Sequence, residues 1–106
     1  MSYNLKVNRE QLQGHFKALV RGLKTRFIKG IELSFKDGCL TINAGKYACG
    51  MAAKGEWDGT VIVARKSYFI KAVNNLPTVP DVHIIAKDDT IWVAETSMRC
   101  TCTPRS

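Results

Sequence analysis

No apolar run in the chain approaches the ~18 residues of a membrane-spanning helix, which excludes a helical integral membrane protein. The opening MSYNLKVNRE also lacks the apolar stretch of a secretion signal, so the expectation is a cytoplasmic protein that does not engage membranes. In that compartment Cys39, Cys49, Cys100 and Cys102 are expected as buried or free thiols rather than disulfides. There is no glycine-rich loop of the P-loop or dinucleotide type. Histidine is scarce: His15 and His83 stand alone, with no neighbouring Ser, Cys or carboxylate in a pattern that suggests a triad. Cys100 and Cys102 would face the same way on a strand. However, Cys39 and Cys49 do not make a second close pair and no His lies nearby, so a zinc site lacks ligands. These absences point to a non-enzyme with no catalytic residue, no metal and no cofactor.

Acidic residues are also few, nine against sixteen Lys and Arg, for a net charge of +7. Placement matters more than size. Residues 9–26 and 65–76 together hold eight of the sixteen basic residues and one acid, Glu10, while the rest of the chain is neutral in sum. Positive charge segregated in this way favours a polyanionic partner, with nucleic acid ahead of an anionic surface. The 106 residues suffice for one domain, and 45% hydrophobic residues suffice for one core.

The organising stretch is VIVARKSYFIKAVNNLP, residues 61–77. The β-branched run Val61, Ile62 and Val63 reads as a strand, and Ser67 is a candidate cap for a short helix. Phe69, Ala72, Val73 and Leu76 fall on one apolar face of that helix, leaving Lys71, Asn74 and Asn75 away from it. Pro77 ends it.

A second helix of the same design is expected from about Arg9 to Lys24, capped by Asn8, with Leu12, Phe16, Leu19, Val20 and Leu23 inward. At about 100° per residue, Lys17, Arg21 and Lys24 lie about 140°, 180° and 120° from Leu12. On one helix, such a stripe is ordinarily a solvated outer face. Two helices sharing the bias, with almost no interspersed acids, favour a binding face. Gly14 in this helix suggests a place where another backbone approaches closely.

Between and after the helices the chain reads as strands. IELSFK (31–36) and CLTIN (39–43) form a hairpin about Asp37-Gly38. Tyr47 to Ala53 is a weaker strand interrupted by Gly50. Lys54 to Thr60 reads as a loop, with Trp57 either exposed in it or folded back on the sheet edge. DVHIIAK (81–87) and TIWVAE (90–95) flank the turn Asp88-Asp89, and Trp92 is expected in the core. Thr96-Ser97 is the next turn, and Met98 to Thr103 the last strand. The order is β-α-β-β-β-β-α-β-β-β. This is an α+β domain over residues 1–106, an antiparallel sheet with two helices packed on one face. Beyond the echo between its two halves there is no internal repeat.

This order, with IELSFKDGCLTINAG, GTVIVARKSYFIKAVNNLP and DVHIIAKDDTIWV in place, resembles one domain of a DNA polymerase sliding clamp. The resemblance is to the bacterial beta-clamp group and, more remotely, to proliferating cell nuclear antigen. It implies a ring lined by helices whose Lys and Arg meet DNA phosphates, with sheets paired edge to edge between domains. On that basis the double-stranded-DNA contacts are Lys17, Arg21 and Lys24 on the first helix and Lys71, Asn74 and Asn75 on the second. Arg26, Arg65 and Lys66 sit at the helix ends. A polymerase or other replication protein is the implied client. Clamp chains carry two or three such domains. A chain with one copy requires about six subunits joined by heterologous contacts, or else is a lone domain redeployed as a protein-interaction module without DNA binding.

Overall fold

The computed structural model describes residues 3–21 and 30–104. The first half runs β1 (Tyr3–Asn8), α1 (Arg9–Arg21), β2 (Ile31–Lys36), β3 (Cys39–Ala44) and β4 (Tyr47–Trp57). The second runs β5 (Gly59–Val63), α2 (Lys66–Asn74), β6 (Asp81–Lys87), β7 (Thr90–Val93), β8 (Thr96–Arg99) and β9 (Thr101–Pro104). The expected α+β order is observed, with the last strand split in two. The strands pair throughout as antiparallel neighbours in the order β8-β7-β6-β1-β4-β3-β2-β5-β9.

The strands follow from alternation. In β1, Tyr3, Leu5 and Val7 are buried while Asn4, Lys6 and Asn8 are exposed. Asp37 and Gly38 both take positive φ, 52° and 77°, the geometry whose twist matches a two-residue hairpin. Asp88 and Asp89 do the same at 52° and 61°, a conformation that short carboxylate side chains tolerate. Asn8 caps α1: its Oδ1 accepts the Gln11 backbone N–H at 3.0 Å.

The pairing has an internal symmetry. β1 pairs with β6 and with the second part of β4, while β5 pairs with β2 and β9. Each half thus lends its first strand to the sheet of the other. Exchanging the halves carries every pairing onto another, with β8 and β9 together playing the part of β4. The echo in the sequence is this repeat.

Several sequence expectations need correction. β4 does not stop at Ala53. It continues to Trp57, because its first part pairs with β3 and its second part with β1. The stretch read as a loop is therefore mostly strand, and Gly50 does not interrupt it. Gly55 marks instead a close approach, since an added Cβ would stand 2.0 Å from the Asn4 carbonyl oxygen. Trp57 is buried, its ring edge-on to Tyr3 at 5.2 Å and its Nε1–H donating to the Leu33 carbonyl at 3.2 Å.

The second turn of the β7 region lies at Ala94-Glu95, with Ala94 at φ 56°, and Thr96 and Ser97 are already in β8. Alanine gives no turn signal, which is why the sequence misplaced it. Trp92 is not in the core but on the outer face, 37% exposed. α2 is capped at Arg65 without a side-chain hydrogen bond, so Ser67 lies inside the helix.

Gly14 is approached by nothing: a Cβ there meets open space. Replacement of Gly14 by Ala is therefore expected to stabilise the domain by about 0.5–1 kcal/mol, measured by urea denaturation, because the helix gains propensity without a clash. The expected continuation of the first helix to Lys24, with Leu23, lies outside the described residues.

Candidate nucleic-acid interface

α1 and α2 lie side by side on one face of the sheet. Phe16 and Phe69 meet edge to face at 5.2 Å, and Gln13 Nε2 donates to the Val73 carbonyl at 3.0 Å. Leu12, Phe16, Phe69, Ala72 and Val73 are buried beneath. The apolar periodicity of each helix thus fixes its roll, and the roll fixes where its cations go.

Above this seam runs a shallow groove of about 400 Å³ lined by Phe16, Lys17, Val20, Arg21, Ile70 and Asn74. A second depression of about 370 Å³ adjoins it, sharing Ile70 and Asn74 and adding Lys66, Ser67, Tyr68 and Lys71. Lys17, Arg21, Lys66, Lys71 and Asn74 therefore border one continuous surface contributed by both helices. No carboxylate lines either depression. The ion pairs Lys6–Asp81 at 3.6 Å and Arg9–Glu10 at 4.0 Å lie elsewhere. Cations that share one surface without acids repel one another, and an anion relieves that repulsion.

The other expected residues fall differently. Asn75 Nδ2 donates to the Lys71 carbonyl at 2.9 Å, so its amide serves the C-terminus of α2. Arg65 bonds the Tyr68 hydroxyl at 3.3 Å and lies 5.7 Å from the centre of that ring. It borders a third depression with Tyr68, Ser97, Met98 and Arg99, which meets the second at Tyr68. Arg99 was not singled out from sequence; its outward position in the alternating last strand was the available signal. Lys24 and Arg26 lie outside the described residues.

Among the described residues no group of three or more His, Cys, Asp or Glu is placed to hold a metal ion. His15 Nδ1 lies 3.1 Å from the Gly50 carbonyl oxygen, tying α1 to β4. Cys100 and Cys102 approach to 3.9 Å between their sulfurs. Burial pushes the Cys100 thiol up to about 12, with the neighbouring Cys102 adding to it, and burial pushes Cys49 up to about 11. Both pKa values rise on folding from the usual 9.0, so the contribution of these thiols to stability is whole below pH 9. It is lost as pH climbs toward 11–12. Stability should decline over that window. At pH 8, iodoacetamide should label exposed Cys39 well before Cys49 or Cys100, read by peptide mass spectrometry.

The arrangement of two related halves, each a strand, a helix and three strands with the last strand of the second half split in two, and with paired helices on one side, is that of a sliding-clamp domain, and the described residues form a single clamp-like domain. Two solved structures place it more closely. One, described as Caulobacter crescentus pol III beta, superposes with a TM-score of 0.63 at 20% identity, covering 96% of this chain. The other, a DNA polymerase sliding clamp from Caulobacter crescentus, superposes with a TM-score of 0.62 at 21% identity, covering 97%. This chain spans 31% of the length of each. At such identity the likeness concerns the fold. No family model and no curated protein matches the sequence. No helix among the described residues is long and apolar enough to cross a membrane.

Proposed function

We propose that this chain is a sliding-clamp-like DNA-binding protein, a non-enzyme that holds duplex DNA through sequence-independent phosphate contacts. The observation that carries this reading is the acid-free surface shared by α1 and α2, bordered by Lys17, Arg21, Lys66, Lys71 and Asn74. Phosphate contacts give affinity without sequence information, and long flexible side chains keep the barrier to translocation low. Arg65 and Asn75 extend the proposed contact set toward the two ends of α2, and Lys24 and Arg26 belong to it on the sequence alone.

In this reading copies of the chain assemble through sheet edges into a ring that encloses DNA and serves a polymerase or other replication protein as a tether. Two edges suit that assembly. The first part of β4 pairs only with β3, and β8 pairs only with β7, among the described residues. The stretch Tyr47–Ala52 carries no charge and no proline, the devices that ordinarily blunt an edge. Pairing of one copy's β8 with the next copy's β4 is heterologous, so it must close. The same edges suit the second reading, a protein-interaction module that leaves DNA alone.

Duplex binding as a function of salt separates the two. Log K should fall linearly with log salt at about 0.9 per phosphate neutralised. Without duplex the solution mass should be several times the 11.8 kDa of one chain, and with duplex it should rise by the mass of the bound DNA. Absence of retention on duplex DNA at low salt would leave only the module.

A further inference from the structure

Cys100 and Cys102 bring together two thiols that the DNA reading does not use. Their sulfurs stand 3.9 Å apart. Cys100 lies between β8 and β9, where the chain leaves the side of β7 for that of β5. Its N–H donates to the Asp89 carbonyl at 3.0 Å, which holds its backbone in place. Cys102 follows in β9, opposite Val61. With one residue between them, the two side chains share a face.

A disulfide needs Cα atoms about 4.4–6.8 Å apart, and two strand positions span about 6.6 Å. The pair therefore sits at the wide end of what can be bridged with the backbone in place. A bond made there is strained and easily reduced, the character of a reversible disulfide and not of a structural one.

The two thiols differ in what reaches them. Cys102 is half-buried and Cys100 is buried. Burial, then the neighbouring Cys102 and Asp89, keep Cys100 protonated. Cys102 is thus the thiol that an oxidant meets first, with Cys100 in reserve beside it. Cys100 also borders an open depression of about 670 Å³ with Asp88, Asp89 and Arg99. Mixed charge there selects neither an anion nor a cation, which suits a small uncharged oxidant.

We infer that Cys100 and Cys102 are a modification site, which a hydroperoxide converts into a reversible disulfide. Cys102 Sγ attacks one peroxide oxygen. The O–O bond breaks, an S–O bond forms, and the thiol proton leaves with the second oxygen as water. Cys100 Sγ then attacks Cys102 Sγ. The S–O bond breaks, the S–S bond forms, and the departing hydroxyl takes the Cys100 proton as a second water. Two thiols are oxidised and one peroxide is reduced. The second step is intramolecular, and this placement offsets the low thiolate fraction of Cys100. The bond stiffens the joint between β8 and β9. The inference does not depend on DNA binding.

The test uses the full chain carrying Cys39→Ser, which removes the exposed thiol that would otherwise link copies. Hydrogen peroxide is added in slight excess, remaining thiols are blocked with iodoacetamide in urea, and the tryptic peptide beginning at Cys100 is weighed. That peptide should be two hydrogens lighter and free of iodoacetamide, and dithiothreitol should restore it. Phenylarsine oxide, which bridges neighbouring thiols, should add once to the untreated chain and not to Cys100→Ser or Cys102→Ser. With peroxide, Cys100→Ser should accumulate a Cys102 sulfenic acid, trapped by dimedone about tenfold more than in the parent. Cys102→Ser should leave Cys100 reduced at the same dose. The peptide mass in the parent needs neither variant, so it decides the matter even where Cys100→Ser does not fold. A peptide carrying two iodoacetamide groups after oxidation would overturn the inference. So would a sulfinic Cys102 beside a free Cys100, a bond from either thiol to Cys49, or failure of the arsenical to bridge the pair.

Discussion

Reversing charge at Lys17 and Arg21 together, as Lys17→Glu with Arg21→Glu, is expected to abolish retention on duplex DNA while leaving the fold intact. Both side chains are exposed on α1 and border the seam groove with Asn74. Neither takes part in an ion pair among the described residues, so their loss strands no buried partner. Surface substitutions of this kind ordinarily alter stability by about 0.5 kcal/mol or less. Arg21 lies in the last turn of α1, where an acid opposes the helix dipole by a further few tenths of a kcal/mol.

The effect on DNA is of another order. Two phosphate contacts disappear, lowering the log–log salt slope by about 1.8. Two new negative charges then face the phosphates, and affinity should fall more than about 100-fold. A neutral pair, Lys17→Gln with Arg21→Gln, should lower the slope similarly but retain weak binding. A DNA column at low salt with a parallel thermal melt reads all three proteins. Retention of the Glu pair equal to that of the parent would remove the basis for the clamp reading.

Gly55→Ala should destabilise the domain by about 3–5 kcal/mol, a large part of a typical total of about 5–15 kcal/mol. Gly55 stands at φ +138°, a conformation that L side chains rarely adopt. A Cβ there would lie 2.0 Å from the Asn4 oxygen, 3.0 Å from the Asn4 carbonyl carbon and 3.2 Å from the Leu5 Cα. All three atoms are backbone, so no flexible side chain can move aside. Relief requires β1 and β4 to part where Leu5 opposes Gly55. Urea denaturation measures the loss, with Gly14→Ala as the opposite case of a glycine in open space. A loss below about 1 kcal/mol would mean the strands do not approach as described.

What the sequence revealed, and what it hid, follows from the range of the signals involved. Local ones were reliable. Asp37-Gly38 and Asp88-Asp89 announced their hairpins, Asn8 its cap, and the spacing of Leu12, Phe16, Phe69, Ala72 and Val73 the roll of both helices. That roll in turn placed Lys17, Arg21, Lys71 and Asn74 on the outer surface. Signals that depend on a distant partner failed. Gly55 looked like a loop residue because the strand it accommodates, β1, lies some fifty positions earlier. Trp92 looked like core because alternation tells two faces apart without saying which is covered. Asn75 looked like a surface amide, yet its side chain is engaged at the end of its own helix. Lys66 and Arg65 are adjacent in sequence but border different depressions, a divergence set by the entry into α2.

The exchange of first strands between halves has a mechanical consequence. Neither half holds a complete sheet: β1 belongs to the sheet of the second, and β5 to that of the first. Loosening one half therefore withdraws a strand from the other, and partial opening of either side is penalised twice. The domain should lose its structure as one cooperative unit. Such a body keeps its helix pair in fixed relation under load from either direction.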